Sequence, residues 1–256
     1  LWLVEESTME ALRRLHNNCK RELIQKWVNR GDSVLDCGCG RGGDWHKWKA
    51  VGARVFAIDP DDESLTEAEN RAIEMNFGVF FLGNGTIIQA AFAGPFDVVC
   101  YNFSIHYIME NFENSIKAIQ CAVKPGGLLI GITPDNHQAN KIADERGHYI
   151  DRLGNIFDIY QGGRRLSVKL TDGPFYADGA RDEPLLDANM LMNRLEELDF
   201  VNSFTGDPCS TSRTGSSRTF TPSLYFGRKS KCVIVDGICS NFRNVICRPR
   251  LHSLSE

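Results

Sequence analysis

From residue 8 to residue 28 the apolar side chains Leu12, Leu15, Leu23, Ile24 and Trp27 return with a broadly helical period, which predicts a helix with a break near Asn17-Asn18. The pattern then changes to short apolar runs separated by helical stretches. Residues 33–36 form one such run and lead into a glycine turn; residues 44–50 place Trp45 and Trp48 three apart, as on one helix face. A second run at 54–59 ends in an acid, and 62–75 opens with capping-type residues, the start of another helix. Further strands are predicted at 79–82, 96–101 and 128–133, with a helix over 112–122 and a turn at Lys124-Pro125-Gly126-Gly127. Strands alternating with helices imply parallel pairs joined by right-handed crossovers. The fold class is therefore α/β, a doubly wound, mostly parallel sheet with helices on both faces and ligand sites at the carboxyl ends of the strands.

Beyond residue 134 the rhythm changes. Strands are expected at 149–160 and 165–170 around Gly162-Gly163, a helix at 188–198, and a closing strand at 223–227. Residues 206–222, rich in Ser, Thr and Arg, read as a mobile loop. Residues 1–235 thus form one domain, with 236–256 a tail that shows no clear period and has no evident role.

Composition narrows the class. The chain has 256 residues, 42% hydrophobic and 24% charged, enough for a substantial core, which excludes disorder and collagen-like structure. No apolar run approaches the roughly 18 residues of a membrane span, and Leu1-Trp2-Leu3-Val4 meets Glu5 and Glu6 before a signal segment forms, so a soluble, non-secreted protein with no membrane partner is expected. With no initiator methionine, the chain reads as a domain cut from a longer polypeptide, or as trimmed. Nine scattered cysteines favour a reducing compartment. Cys37 and Cys39 stand one residue apart with no second pair at finger spacing, so no metal is expected. The net charge of −4 argues against wholesale capture of nucleic acid, yet basic residues gather at both ends: Arg13, Arg14, Lys20, Arg21, Lys26 and Arg30 early, and Arg213 to Arg250 late. Two readings stay open for these patches, a solubilising surface and a track for a phosphate-bearing substrate.

The turn Asp36-Cys37-Gly38-Cys39-Gly40-Arg41-Gly42-Gly43 satisfies G-x-G-x-x-G at Gly38, Gly40 and Gly43, the dinucleotide signature. Asp36 before it and Asp44 after it would set carboxylates where a pyrophosphate needs bare N–H groups. A cationic ligand is not repelled. S-adenosylmethionine, with an ammonium and a sulfonium and no phosphate, suits the turn, and Asp59 at the end of the second strand is placed to accept from its ribose hydroxyls; the alternative for Asp59 is a solvated strand-end acid.

With Asp59 and Lys124-Pro125-Gly126-Gly127, this turn resembles class I S-adenosylmethionine-dependent methyltransferases over residues 8–230. The finer resemblance is to messenger-RNA cap guanine-N7 methyltransferases. His16-Asn17-Asn18-Cys19-Lys20 is similar to that family's H-N-x-x-K segment, and residues 34–44 to its extended G-C-G-[KR]-G-G-D loop. Asn102-Phe103-Ser104-Ile105-His106-Tyr107 is similar to its Q-F-x-x-H-Y, and residues 126–135 to its G-G-x-x-I-G-T-x-P-[DN].

The resemblance implies a seven-stranded Rossmann-like sheet and methyl transfer from S-adenosylmethionine to N7 of the cap guanine, yielding S-adenosylhomocysteine. Because N7 carries a lone pair and no proton, no general base and no catalytic residue in the acid–base sense are expected; proximity and electrostatics suffice. For the donor, it implies Lys20 at the methionine carboxylate, Asp36, Gly38 and Gly40 around the turn with close backbone approach at Gly38, Asp59 at the ribose and Asn102 at the amino end. Where the family has an acid for the adenine amino group this chain has Gly83-Asn84, and Asn84 supplies an uncharged acceptor. For the cap guanine it implies Phe103, His106 and Tyr107 as walls and partners within acceptor elements at 101–230, Tyr225 at the pocket border, and an acid accepting from N1–H and N2–H₂ together. Glu183 is the choice, with Asp182 and Asp187 as neighbours in register. Arg41, Arg13 and Arg14 are assigned to the triphosphate and RNA. Taken without the family, Lys20 also reads as a surface amine, Phe103 and Tyr225 as core rings and His106 as a satisfied polar residue.

The implied partner is the capped 5′ end of messenger RNA, with triphosphatase and guanylyltransferase domains on the same longer, viral capping chain. The implied setting is the cytoplasm or a virion, or the nucleus for a cellular enzyme. Two other readings remain within the methyltransferase fold: transfer to another RNA or a small molecule, and a catalytically silent donor-binding subunit. An oxidoreductase is the fourth.

Overall fold

The computed structural model describes residues 9–134, 136–151, 153–171, 179–202, 233–236 and 242–249. Helix α1 (Met9–Trp27) leads into β1 (Ser33–Cys37), α2 (Trp45–Val51), β2 (Arg54–Asp59), α3 (Asp62–Glu74) and β3 (Phe81–Asn84). A short α4 (Ile87–Ala90) and a 3₁₀ turn precede β4 (Phe96–Asn102); a second 3₁₀ turn (Ile105–Asn111) runs into α5 (Phe112–Ala122) and β5 (Val123–Pro134). The predicted break in α1 does not occur. The side chains of Asn17 and Asn18 bind other side chains, Lys47 at 2.9 Å and Arg21 at 2.7 Å, instead of competing for the helix backbone.

Strands β3-β2-β1-β4-β5 pair in parallel in that spatial order, so the sheet reverses direction of growth between β1 and β4, where ligands of doubly wound folds bind. The period-2 alternation of the strands builds a core on each face. Val34, Val98, Cys100 and Ile130 meet α1, α2 and α3 through Ile24, Trp45, Trp48 and Ala68. Leu35, Val99, Tyr101 and Leu129 meet α5 and α7 (Ala188–Glu197) through Ile116, Ile119, Leu191 and Leu195.

Several expectations need correction. The predicted turn at residues 124–127 is a bulge inside β5: Phe96 pairs with Val123 and Val98 with Leu128, so four residues of β5 face Asp97 alone. A Cβ on Gly127 would lie 2.8 Å from the Asp97 carbonyl oxygen, and Lys124 binds the Asp97 carboxylate at 2.8 Å. Strand β3 begins two residues later than predicted, which sets Asn84 opposite Asp59. Helix α6 (Asn136–Ile142) follows β5.

The single strand expected at 149–160 is instead two, β6 (His148–Ile150) and β7 (Ile156–Tyr160). Between them the Asp151 carboxylate accepts from the backbone N–H of Leu153 and Asn155 at 2.8 and 3.0 Å and forces a turn. With β8 (Arg165–Lys169) and β9 (Arg181–Pro184) they form a four-stranded antiparallel sheet, β6-β7-β8-β9.

The main sheet has eight strands among the described residues instead of seven. β10 (Phe200–Asn202), β11 (Val233–Asp236) and β12 (Phe242–Pro249) join it antiparallel, with β12 directly against β5. Residues 242–249, left without an element by the sequence pattern, are therefore part of the sheet. The predicted loop at 206–222 and strand at 223–227 lie outside the described residues, as does Tyr225.

Candidate active site

After β1 the chain takes left-handed backbone at Gly38, Gly40 and Gly42, with φ of +74°, +51° and +68°. The turn is stitched to the end of β2: Gly38 and Cys39 donate to the Ile58 carbonyl at 2.8 and 3.1 Å, and Gly40 N–H donates to Asp59 Oδ2 at 2.8 Å. A Cβ on Gly38 would stand 2.5 Å from the Ser104 Cβ, and Ser104 Oγ donates to the Cys37 carbonyl at 2.5 Å. Gly38 is thus packed closely against Ser104, a residue that nothing in the sequence pattern singles out. A Cβ on Gly40 would meet nothing within 4 Å among the described residues, so there its φ is what restricts the residue.

Beneath the turn lies a polar cluster inside the α1–α2 layer. Trp48 Nε1 donates to Asp36 Oδ2 at 2.9 Å. Asp44, buried at the start of α2, accepts from Lys20 Nζ at 3.1 Å and Asn102 Nδ2 at 3.1 Å on Oδ2, and from Lys47 Nζ at 2.5 Å on Oδ1. Lys47 also donates to Asn17 Oδ1 at 2.9 Å. Burial pushes the Asp44 carboxyl up, but the ammonium groups of Lys20 and Lys47 outweigh it and hold the group below the usual carboxylate range. Asp36 goes the other way: burial, then the Asp44 charge, push its carboxyl up to about 7. Burial and the neighbouring Lys20 bring His16 down to about 4. Asp44, Lys47, Asn17 and Trp48 were not among the predicted site residues, although Asn17 and Asp44 stand inside the H-N-x-x-K and G-G-D segments and Asp44 and Lys47 have a three-residue helix spacing.

Two buried acceptors in this cluster, Asp36 Oδ1 and Asn102 Oδ1, have no hydrogen-bond partner among the described residues. Buried oxygens left without a donor are costly, and two of them beside Lys20 fit a ligand that brings both an ammonium and a carboxylate, as the amino-acid end of S-adenosylmethionine does. Asp59 accepts from Gly40 and, at 3.0 Å, from Asp61 N–H; a carboxylate has about four acceptor sites, so a diol is still accommodated. Asn84 sits beside it at the end of β3, its amide nitrogen donating to Asp62 Oδ1 at 2.7 Å. Among the described residues no group of three or more His, Cys, Asp or Glu is arranged to hold a metal ion.

Of the predicted guanine residues, Phe103, His106, Tyr107 and Glu183 meet near the carboxyl end of β4, and Tyr225 lies outside the described residues. Phe103 takes left-handed backbone, φ +64°, uncommon for an aromatic residue and a form of local strain found at functional sites. Its ring lies 4.9 Å from the His16 ring and 5.4 Å from Lys20 Nζ. His106 is buried, with Nε2 3.5 Å from Glu183 Oε2 and neither ring nitrogen in a hydrogen bond among the described residues. Tyr107, 47% exposed, lies 4.4 Å ring to ring from His106 and shares a hydrogen bond with Glu183. Burial and the Glu183 charge push the Tyr107 hydroxyl up, so it stays a donor.

Strand β9 makes this meeting possible, since it pairs Glu183 with Leu166 and carries it to the 3₁₀ turn. Asp182 is exposed, on the alternate face of the strand. Asp187 caps α7, accepting from Asn189 and Met190 N–H at 2.9 and 3.2 Å. Arg41 pairs with Glu67 at 2.9 Å, and Arg71 binds the other oxygen of Glu67 at 2.9 Å, setting two guanidinium groups at one carboxylate beside the turn. Arg13 and Arg14 are exposed on α1, Arg14 at 4.0 Å from Glu10.

Among solved structures, an S-adenosylmethionine-dependent methyltransferase from Clostridium acetobutylicum superposes with a TM-score of 0.58 over 93% of this chain and 92% of its own, at 16% identity. The fold is that of the S-adenosylmethionine-dependent methyltransferases. Residues 4–163 match the mRNA (guanine-N(7))-methyltransferase domain, and the chain belongs to that family. The mRNA cap guanine-N(7) methyltransferase of Candida glabrata is 28% identical over 194 residues, 68% of this chain and 44% of that protein. That of Eremothecium gossypii is 32% identical over 159 residues, 54% and 37% respectively. The aligned region is thus less than half the length of these relatives.

Proposed function

We propose that this domain methylates N7 of the guanine cap of messenger RNA, with S-adenosylmethionine as donor. The observation that carries the reading is the meeting of Glu183 with His106 and Tyr107 at the end of β4, next to the cluster of Asp36, Asn102 and Lys20. When bound, S-adenosylmethionine supplies an electrophilic methyl group to a ring nitrogen that bears a lone pair and no proton. The chain's own residues then need only bind, orient and set the field.

Lys20 keeps N–H donors beyond the one given to Asp44 and takes the donor carboxylate; Asp36 Oδ1 and Asn102 Oδ1 take the ammonium. Asp59 holds the ribose and Asn84 the adenine edge. Glu183 accepts from guanine N1–H and N2–H₂ at once, His106 donates to the base, and Phe103 and Tyr107 wall it, with Tyr225 at the border. Arg41 serves the triphosphate, with Arg13 and Arg14 along the RNA. The substrate's chemistry requires a preceding triphosphatase and guanylyltransferase, whether on the same chain or another. A reducing compartment belongs to the same reading, supported by the free thiols of Cys37, Cys39, Cys100 and Cys121.

Methyl transfer from labelled S-adenosylmethionine to GpppA, measured beside the same analogue already methylated at N7, tests the reading. Transfer to the first and not the second is expected. Transfer to neither, or equal transfer to both, would overturn it.

A further inference from the structure

Lys47 is an oddity on its own helix. It occupies a seven-residue segment whose buried side is otherwise made by Trp45 and Trp48, yet its side chain has no solvent exposure and its ammonium lies in the α1–α2 layer between Asp44 and Asn17. A charge of this kind is costly to bury, so it persists where other groups need it. Its partner Asp44 is the point at which Lys20 and Asn102, from α1 and the end of β4, are brought together on one oxygen.

We infer that Lys47 is a positioning residue of the donor site: by occupying Oδ1 of Asp44 it fixes that carboxylate, and through it Lys20 and Asn102, for the amino-acid end of S-adenosylmethionine. The inference rests on the donor reading above. Charge makes the point concrete. Asp44 and Lys20 alone sum to zero, and a donor carboxylate would find Lys20 already neutralised. With Lys47 the three groups sum to one positive charge, and the second ammonium lets Lys20 share its charge with an incoming carboxylate. Geometry makes a second contribution, because Asp44 gripped on both oxygens has one orientation, and the Asn102 amide bound to it presents its own Oδ1 as an acceptor.

The test compares two ligands by calorimetry. S-adenosylhomocysteine carries the amino-acid end; 5′-methylthioadenosine lacks it and shares the rest. In the unmodified domain S-adenosylhomocysteine should bind more tightly. Lys47→Met should weaken it by about tenfold or more, the scale of one charged hydrogen bond, and leave methylthioadenosine within about twofold. Loss of affinity for both ligands alike, or for neither, would overturn the inference, since a merely structural lysine does not distinguish them. Where Lys47→Met fails to fold, Asn17→Ala removes the other anchor of the same ammonium and should produce a smaller loss confined to S-adenosylhomocysteine; an equal change for both ligands again overturns it. Failure of the unmodified domain to bind either ligand would refute the donor reading itself.

Discussion

The indole N–H of Trp48 donates to Oδ2 of Asp36 at 2.9 Å, tying the helix after the glycine turn to the carboxyl end of β1. Both residues are buried, and the other Asp36 oxygen has no hydrogen-bond partner among the described residues, so this is the bond that makes a buried carboxyl group tolerable at the base of the site. Trp48→Phe keeps most of the ring volume and removes the donor. Urea unfolding should show a loss of about 1–3 kcal/mol, the cost of leaving a buried polar group unsatisfied. A change well under that range would mean that the carboxylate finds another donor or stays protonated.

The Asp36 carboxyl, raised by burial and by Asp44 to about 7, couples proton binding to two processes of opposite sign. The folded domain holds a proton that the unfolded chain releases near the ordinary carboxylate value. The stability this contributes is therefore full in acid and is lost as pH rises through about 7. An incoming ammonium prefers the ionised carboxylate, so affinity for S-adenosylhomocysteine should rise over the same interval. Calorimetry in buffers of different ionisation enthalpy should detect proton release on binding near pH 6.5. Binding without proton release there would place the donor ammonium away from Asp36.

Asp97 supplies the contrasting case at the other end of β4. Burial pushes its carboxyl up, but hydrogen bonds from Lys124, the Ser33 hydroxyl and the Ser33 backbone N–H outweigh it and hold the group at about 2. Here the stability is present above the ordinary carboxylate value and is lost as pH falls through about 2. Asp97→Asn should lower the unfolding midpoint at neutral pH and flatten its fall in acid. An unchanged acid limb would show that the Lys124 bulge is held by its backbone alone.

The sequence pattern carried the parallel core because each of those strands is an apolar run that ends at a polar or glycine residue. The sequence therefore suffices to place Asp36, Gly38 and Asp59 at the carboxyl ends of neighbouring strands. What stayed hidden has physical reasons. Strand β9 reads Arg181-Asp182-Glu183-Pro184, too charged to look like a strand, yet it is an edge strand, where charges and a terminal proline are tolerated. The 3₁₀ turn that carries His106 and Tyr107 has no period to detect. Lys47 and Asp44 look like a surface pair on a helix; only the packing of α1 over α2 turns them inward.

The resemblance points to Glu183 but leaves Asp182 and Asp187 open in register, and the position of each in the structure has a direct consequence. Its carboxylate faces His106 and Tyr107, while Asp182 is exposed on the alternate face and Asp187 is occupied with the first turn of α7. Glu183→Gln preserves the length of the side chain but replaces one acceptor with an amide donor, which opposes guanine N1–H or N2–H₂ instead of accepting from it. Methyl transfer to GpppA should fall by roughly 10- to 150-fold, the scale of a charged hydrogen-bond loss, with S-adenosylhomocysteine affinity unchanged. Asp187→Ala should instead cost about 1 kcal/mol of stability through the lost helix cap and leave cap recognition alone. Were the two variants to exchange these effects, the guanine-pairing acid would be Asp187, and the Glu183 pair with His106 and Tyr107 would be a structural contact between the two sheets.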